Sequence, residues 1–339
     1  KGLSERFDST IGRGTVMMPF GGKTQLTPSE GMVGRIPVLH GNTTAASIMA
    51  CGYNPNVACW SPFHGAMYAV TESVVRAVAL GADPAKLRLT LQEYFPKLHD
   101  ANSWGQPFSA LLGAFTTLDA LDLPAIGGKD SMSGTFMDKT VPPTLVSFAV
   151  GVIDGNKAVS ADFKAAGDKV IFLSCPRNSA EVLDFAALKE NLTAVHKAME
   201  AGKIAAGVEP EELFEGLDYM LLGHTTAEAG ITINDTKIDA EKAFAAYREP
   251  LLGIFPDGTP KAEEPADIAM PLYKSELTLT APVNIAKPRV FIPVFPGNNC
   301  EYDSAAAFER AGADVSTLIV NNLTPAAVAE STAALVEEI

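Results

Sequence analysis

The chain has four cysteines, at positions 51, 59, 175 and 300, and no C-x-x-C spacing among them. That excludes the usual zinc-ribbon and thiol–disulfide motifs and points to reduced thiols in a cytosolic protein. Basic residues are also scarce. Twenty-six Lys and Arg face 40 Asp and Glu, for a formal net charge of −14. A chain this acidic is repelled by phosphate backbones and anionic surfaces, so neither nucleic acid nor a membrane is the expected partner. A local basic pocket stays compatible with that charge. No apolar run reaches the roughly 18 residues of a membrane span. The opening residues, KGLSERFDST, lack the apolar stretch of a signal peptide. The chain starts at Lys1 and stops within a helix-like ALVEEI, which reads as a piece of something longer.

What is present is length and apolar mass: 339 residues, 47% of them hydrophobic, enough for two or three domains. Residues 1–32 form a Gly/Pro/Thr-mixed lead-in without clear periodicity. In GAMYAVTESVVRAVALGADP, Met67, Val70, Val74, Val75 and Val78 recur at helical spacing, and Gly81 and Pro84 supply the stop. SALLGAFTTLDAL predicts a second helix, and the preceding segment reads as a loop with Tyr94, Phe95, Trp104 and Phe108 packed in the core. PPTLVSFAVGVID and GDKVIFLSC predict strands, the second of them buried. A long helix is expected from Ser179 to Ile204, then a hairpin turning at Asn234-Asp235. PRVFIPVFPGNNCEYDSAAAFERAGADVSTLIVNNL reads strand, glycine turn, helix, strand, the opening of a doubly wound sheet. Proline punctuation places the join near residue 286. The expected organisation is therefore 1–32, 33–155, 156–286 and 287–339, all of α/β class.

The densest chemistry lies in AIGGKDSMSGTF, Ala125 to Phe136. It is not a P-loop: Leu123 occupies the position of the first glycine and Asp130 that of the Ser/Thr. Gly127 and Gly128 still allow close approach of backbone N–H groups to an anion. Lys129 offers a point charge, Asp130 a hard oxygen ligand, and Ser131 and Ser133 hydroxyls. A glycine turn capped by Asp and Ser accounts for the same residues without a ligand.

Four stretches in this order, EGMVGRIPV, ESVVRAVALGADP, AIGGKDSMSGTF and FPGNNCEYDSAAAFERAGADV, resemble the long, glutamine-dependent form of phosphoribosylformylglycinamidine synthase. The resemblance implies the second of two synthetase halves of the aminoimidazole-ribonucleotide-synthetase type, followed by the first βαβ of a class I glutaminase. It implies an ATP-dependent ligase of purine biosynthesis, cytoplasmic, that converts formylglycinamide ribonucleotide to formylglycinamidine ribonucleotide with ammonia from glutamine. The catalytic half and most of the glutaminase would lie outside this chain, so the chain alone is expected to be inactive and to carry no catalytic residue. An isolated half could instead self-pair through its sheet as a homodimer.

The same resemblance implies an auxiliary ATP or ADP with Mg²⁺ in this half, touched by Gly127, Gly128, Lys129, Asp130, Ser131 and Ser133. Of the implied metal ligands, Glu72 and Asp130 match. His40 stands in place of an Asp and Arg76 in place of an Asn. Histidine is a poorer ligand for Mg²⁺ and a guanidinium is none. Two readings follow. Arg76 replaces the metal and binds phosphate oxygens bidentately, or it forms an intrahelical ion pair with Glu72. Alternatives for the whole chain are a free-standing ATP-binding synthetase of the aminoimidazole ribonucleotide or selenophosphate type, or a purely structural half. Cys300 reads as a structural thiol in the first βα turn, since a glutaminase nucleophile and its His and Glu belong further on. His64 reads as a packed or capping residue, and His99 and His196 as surface-helix residues.

Overall fold

A computed structural model describes residues 14–18, 20–21, 27–38, 41–204, 209–254, 285–298 and 300–339. His40 lies outside the described residues. The chain divides into two compact units, residues 1–262 and 263–339.

The first unit is organised by a six-stranded sheet in the order β1-β4-β5-β10-β6-β7. Its strands are β1 (Thr15–Met17), β4 (Met32–Arg35), β5 (Ala45–Gly52), β6 (Arg88–Tyr94), β7 (Ala125–Ser131) and β10 (Thr144–Asp154). Short pairs β2 (Phe20–Gly21) with β3 (Thr27–Pro28), and β8 (Thr135–Phe136) with β9 (Lys139–Thr140), flank it. All ladders of the main sheet are antiparallel except β6–β7, which is parallel. The lead-in segment thus contributes a strand of its own to this sheet.

Alternation sets the sheet's two faces. Ala46, Ile48 and Ala50 of β5 and Leu145, Ser147 and Ala149 of β10 are buried. Behind them runs α2 (Pro62–Ala79), preceded by the short α1 (Pro55–Trp60). Ser61 caps α2, Pro62 occupies its first turn, and Gly81 follows it at φ +119°. Met67, Val70, Val74 and Val78 are buried as their spacing predicts. Val75 is not: it sits about 100° around the helix from Val74 and is partly exposed. Strand and helix touch at Gly52, where a Cβ would lie 2.2 Å from the Ala69 carbonyl oxygen.

The second helix, α3 (Ala101–Leu121), starts eight residues before the expected SALLGAFTTLDAL segment. The cause is a capping box. The Asp100 carboxylate accepts from the Ser103 backbone N–H at 2.7 Å, and Ser103 Oγ accepts from the Asp100 N–H at 3.0 Å. The aromatic residues read there as core are corrected: Phe95 is buried, but Tyr94 is partly exposed, and Trp104 and Phe108 stand in solvent on α3. His99 precedes this helix rather than lying on one.

Beyond the sheet, β11 (Lys169–Leu173) pairs only with β12 (Tyr219–His224), as a two-stranded ribbon. The expectation of a buried strand fails, because Phe172, Met220 and Leu222 are exposed. The long helix is shorter than predicted: α4 (Phe185–Glu200) begins where the Asp184 carboxylate caps the N–H groups of Ala186 and Ala187. His196 sits on it, half-buried. A short α5 (Pro210–Leu213) follows. The hairpin of β13 (Ile231–Ile233) and β14 (Thr236–Ile238) turns at Asn234, φ +51°, as the sequence implies. Helix α6 (Ala240–Arg248) follows, running into a single 3₁₀ turn at Glu249–Leu251.

In the second unit, β15 (Arg289–Val294) and β16 (Asp314–Ile319) pair in parallel through the crossover helix α7 (Glu301–Arg310). Helix α8 (Pro325–Glu338) follows. This is the predicted βαβ, and the class of the whole is mixed α/β. No helix among the described residues is long and apolar enough to cross a membrane. The four cysteines are free.

Candidate functional site

The glycine-rich stretch is an edge strand, not a loop. Gly127 to Ser131 belong to β7, the last strand of the sheet. Register therefore divides the predicted site residues between two faces. Gly127, Lys129 and Ser131 pair with Thr90, Gln92 and Tyr94; Gly128 and Asp130 pair with Leu91 and Glu93. The two glycines differ in role. A Cβ on Gly128 would meet the Leu91 carbonyl oxygen at 2.2 Å, so packing alone requires glycine there. Gly127 has φ +145° and open space around its Cα, so backbone conformation requires it. Lys129 Nζ donates to the Asp130 carbonyl oxygen at 2.8 Å, and Ser133 is exposed beyond the strand.

Asp130 has a neighbour that sequence inspection missed. Glu93 stands beside it in the parallel register. Burial, reinforced by the Asp130 carboxylate, pushes the Glu93 carboxyl above its ordinary range. Only a parallel pairing of two strands more than thirty residues apart reveals this contact, and no local pattern announces it.

Glu72 and Arg76 lie one turn apart on α2. The Arg76 guanidinium is held on three sides. It meets Glu72 at 2.8 Å and Glu30 at 3.0 Å, and it donates to the Cys51 carbonyl oxygen at 2.8 Å. The second Glu72 oxygen accepts from the Tyr53 backbone N–H at 2.9 Å. The Tyr53 hydroxyl is bonded to Thr144 Oγ1 at 3.0 Å. Arg76 thus ties α2 to the end of β5 and to the turn before β4. Glu30, at φ +57°, was not foreseen as part of this cluster.

These residues do not fit a magnesium site. Both Glu72 oxygens are engaged by donors, and a cation already sits against the carboxylate. Glu72 is bonded to the backbone of Tyr53, just after β5, whereas Asp130 lies on β7, three strands further along the sheet. Among the described residues no group of three or more His, Cys, Asp and Glu converges as a metal site.

His64 serves structure, with one ring nitrogen 2.8 Å from Ser61 Oγ and the other 2.8 Å from the Ala180 carbonyl oxygen. Cys300 precedes α7 at φ +67° and is exposed in the first βα turn of the second unit.

The class these features define is a mixed α/β unit, followed along the chain by a βαβ whose residues 287–336 match the CobB/CobQ-like glutamine amidotransferase domain. The particular likeness is to the PurL subunit of phosphoribosylformylglycinamidine synthase, the family the motifs resemble. PurL of Thermoplasma volcanium is 23% identical over 228 residues, covering 67% of this chain and 29% of the relative. PurL of Nitrobacter winogradskyi is 26% identical over 170 residues, 50% of this chain and 21% of the relative. PurL of Thermus thermophilus is 25% identical over 182 residues, 53% and 23% respectively. Among solved structures, T. maritima PurL complexed with AMPPCP superposes with a TM-score of 0.44 at 22% identity, over 60% of this chain and 31% of that one. The chain spans less than a third of the length of these relatives.

Proposed function

We propose that this chain is part of a phosphoribosylformylglycinamidine synthase: its second synthetase-like half running into the start of its glutaminase. The observation that carries the proposal is the join itself. A PurL-like region and the first βαβ of a glutamine amidotransferase occur in one chain. A free-standing synthetase would have no use for the second of these. The reaction is an amide-to-amidine conversion. ATP phosphorylates the glycinamide oxygen of the substrate, ammonia released from glutamine attacks that carbon, and phosphate leaves with the oxygen, the formyl group staying intact. This chain supplies neither the glutaminase nucleophile nor a catalytic residue of the ligase, and its partners are the catalytic half and the rest of the glutaminase. The cytoplasm is the compartment that suits such a reaction.

Within that assembly this half acts as a metal-free member, with Arg76 in the role a divalent ion would otherwise play. Like a metal, the guanidinium gathers two carboxylates and a carbonyl from three separate elements. A retained nucleotide is the second reading, favoured by the alignment of Gly127, Lys129 and Ser131 on one face of an exposed edge strand.

The test is reconstitution. The purified chain, given substrate, ATP, Mg²⁺ and either glutamine or ammonia, should form no amidine. Co-expressed with the catalytic half and the full glutaminase of a relative, it should support amidine formation. Turnover by the chain alone, or failure of the reconstituted assembly to gain activity over the catalytic half alone, would overturn the proposal.

A further inference from the structure

Helix α3 has two apolar faces, and only one of them is used. Ala110, Ala114, Thr117 and Leu121 are buried, and Gly113 lies so close to α2 that a Cβ would meet the Phe63 carbonyl oxygen at 2.0 Å. The opposite side carries Trp104, Phe108, Leu111, Leu112 and Phe115, which are 61%, 63%, 52%, 43% and 62% exposed. Solvated helix faces are normally polar. This one has no charged residue from Ala101 to Leu118 in a chain of net charge −14.

The spacing is specific. Trp104, Phe108, Leu111 and Phe115 follow one another at intervals of four, three and four, the alternation of a coiled-coil seam. The series of intervals reads the same from either end. A two-fold axis passing the helix between Ser109 and Ala110 therefore sets Trp104 against Phe115 of a second copy, and Phe108 against Leu111 of that copy. Such self-complementarity is what an isologous interface requires. The absence of charge along the seam removes the like-charge repulsion that would otherwise oppose contact between two acidic chains.

The area suffices as well. At about 200 Å² per fully exposed aromatic side chain, the three aromatics present roughly 370 Å² per copy. With the two leucines, a pair of faces removes on the order of 1,000 Å² from water, the threshold of a specific interface. A contiguous apolar patch of this size on a single chain marks an interaction site.

We infer that α3 is a self-association surface, pairing antiparallel with α3 of a second copy of this chain. This differs from pairing through the sheet, where Val152 of β10 is exposed. The experiment is sedimentation equilibrium of the full 339-residue chain at concentrations from about 1 to about 200 μM, a range that spans ordinary dimer affinities. The wild type should be dimeric at the upper end. Phe108→Glu, which changes an exposed residue and should leave the circular dichroism melt intact, should weaken association at least ~100-fold, as loss of an interface anchor does. Phe108→Glu combined with Leu111→Lys should recover dimer, because the antiparallel two-fold brings the introduced carboxylate of one copy against the introduced ammonium of the other. Val152→Lys on the sheet should change nothing. A wild type that stays monomeric at the highest concentration would overturn the inference and leave the stripe to another segment or a lipid surface. A dimer insensitive to Phe108→Glu but broken by Val152→Lys would overturn it in favour of the sheet.

Discussion

The Arg76 guanidinium lies 3.0 Å from the Glu30 carboxylate, joining a helix to a turn 46 residues earlier in the chain. Alone, such a pair would contribute little, since Glu30 is half exposed. Its weight comes from Glu72 and the Cys51 carbonyl, which share the same cation. Arg76→Ala leaves two carboxylates facing each other and a carbonyl without its donor. After allowance for solvent screening, the loss should be about 1–2 kcal/mol, or roughly 2–8 °C in the melting midpoint of a unit of this size. Arg76→Lys, unable to bridge three acceptors with a planar fork, should recover less than half of it. Circular dichroism melts in dilute buffer and in about 1 M salt check both, with a smaller difference in salt.

The contact of α2 with α3 rests on Gly113. Gly113→Ala places a methyl carbon 2.0 Å from a backbone oxygen that cannot move without its helix. The expected cost is about 3 kcal/mol, at the upper end for overpacking. Gly105→Ala, on the same helix but with nothing near its Cα, should instead be neutral or slightly stabilising. A pair of urea titrations distinguishes them.

Glu93 gives a pH signature. Its folded-state pKa is raised, so the folded protein holds this proton more tightly than the unfolded chain does. The associated stability is present at acid pH and is lost as pH rises through the raised value. Glu93→Gln should therefore stabilise the protein near neutral pH, about 7, and have little effect near pH ~4. Equal effects at both pH values would show that the Asp130 neighbour and burial do not act on its ionisation.

Much of this was legible from local pattern. Met67, Val70, Val74 and Val78 announced α2 by their period, Asn234 announced the hairpin by its turn chemistry, and FPGNNCEYD announced the βαβ. What stayed hidden depends on pairing across the chain. AIGGKDSMSGTF looked like a phosphate loop because glycine signals a turn as readily as a strand packed edge-on, and only the Leu91 contact tells them apart. Arg76 presented Glu72 as its obvious partner at four-residue spacing, while Glu30 and the Cys51 carbonyl came from the tertiary fold. Trp104 and Phe108 were assigned to the core by hydrophobicity, which carries no information about which face of α3 they occupy.

The central claim is that Arg76 stands where a divalent ion would otherwise bind, so that this half works without metal. The most direct test is the melting midpoint of the wild-type chain in millimolar Mg²⁺ and in EDTA, each with and without millimolar ADP. The account predicts the same midpoint in Mg²⁺ and EDTA under both nucleotide conditions. A bound nucleotide would raise the pair together, by about 2.7 kcal/mol at roughly a hundred times its dissociation constant. A stabilisation that appears with Mg²⁺ and vanishes in EDTA would contradict it, and would show that Glu72 and Asp130 still gather around a metal.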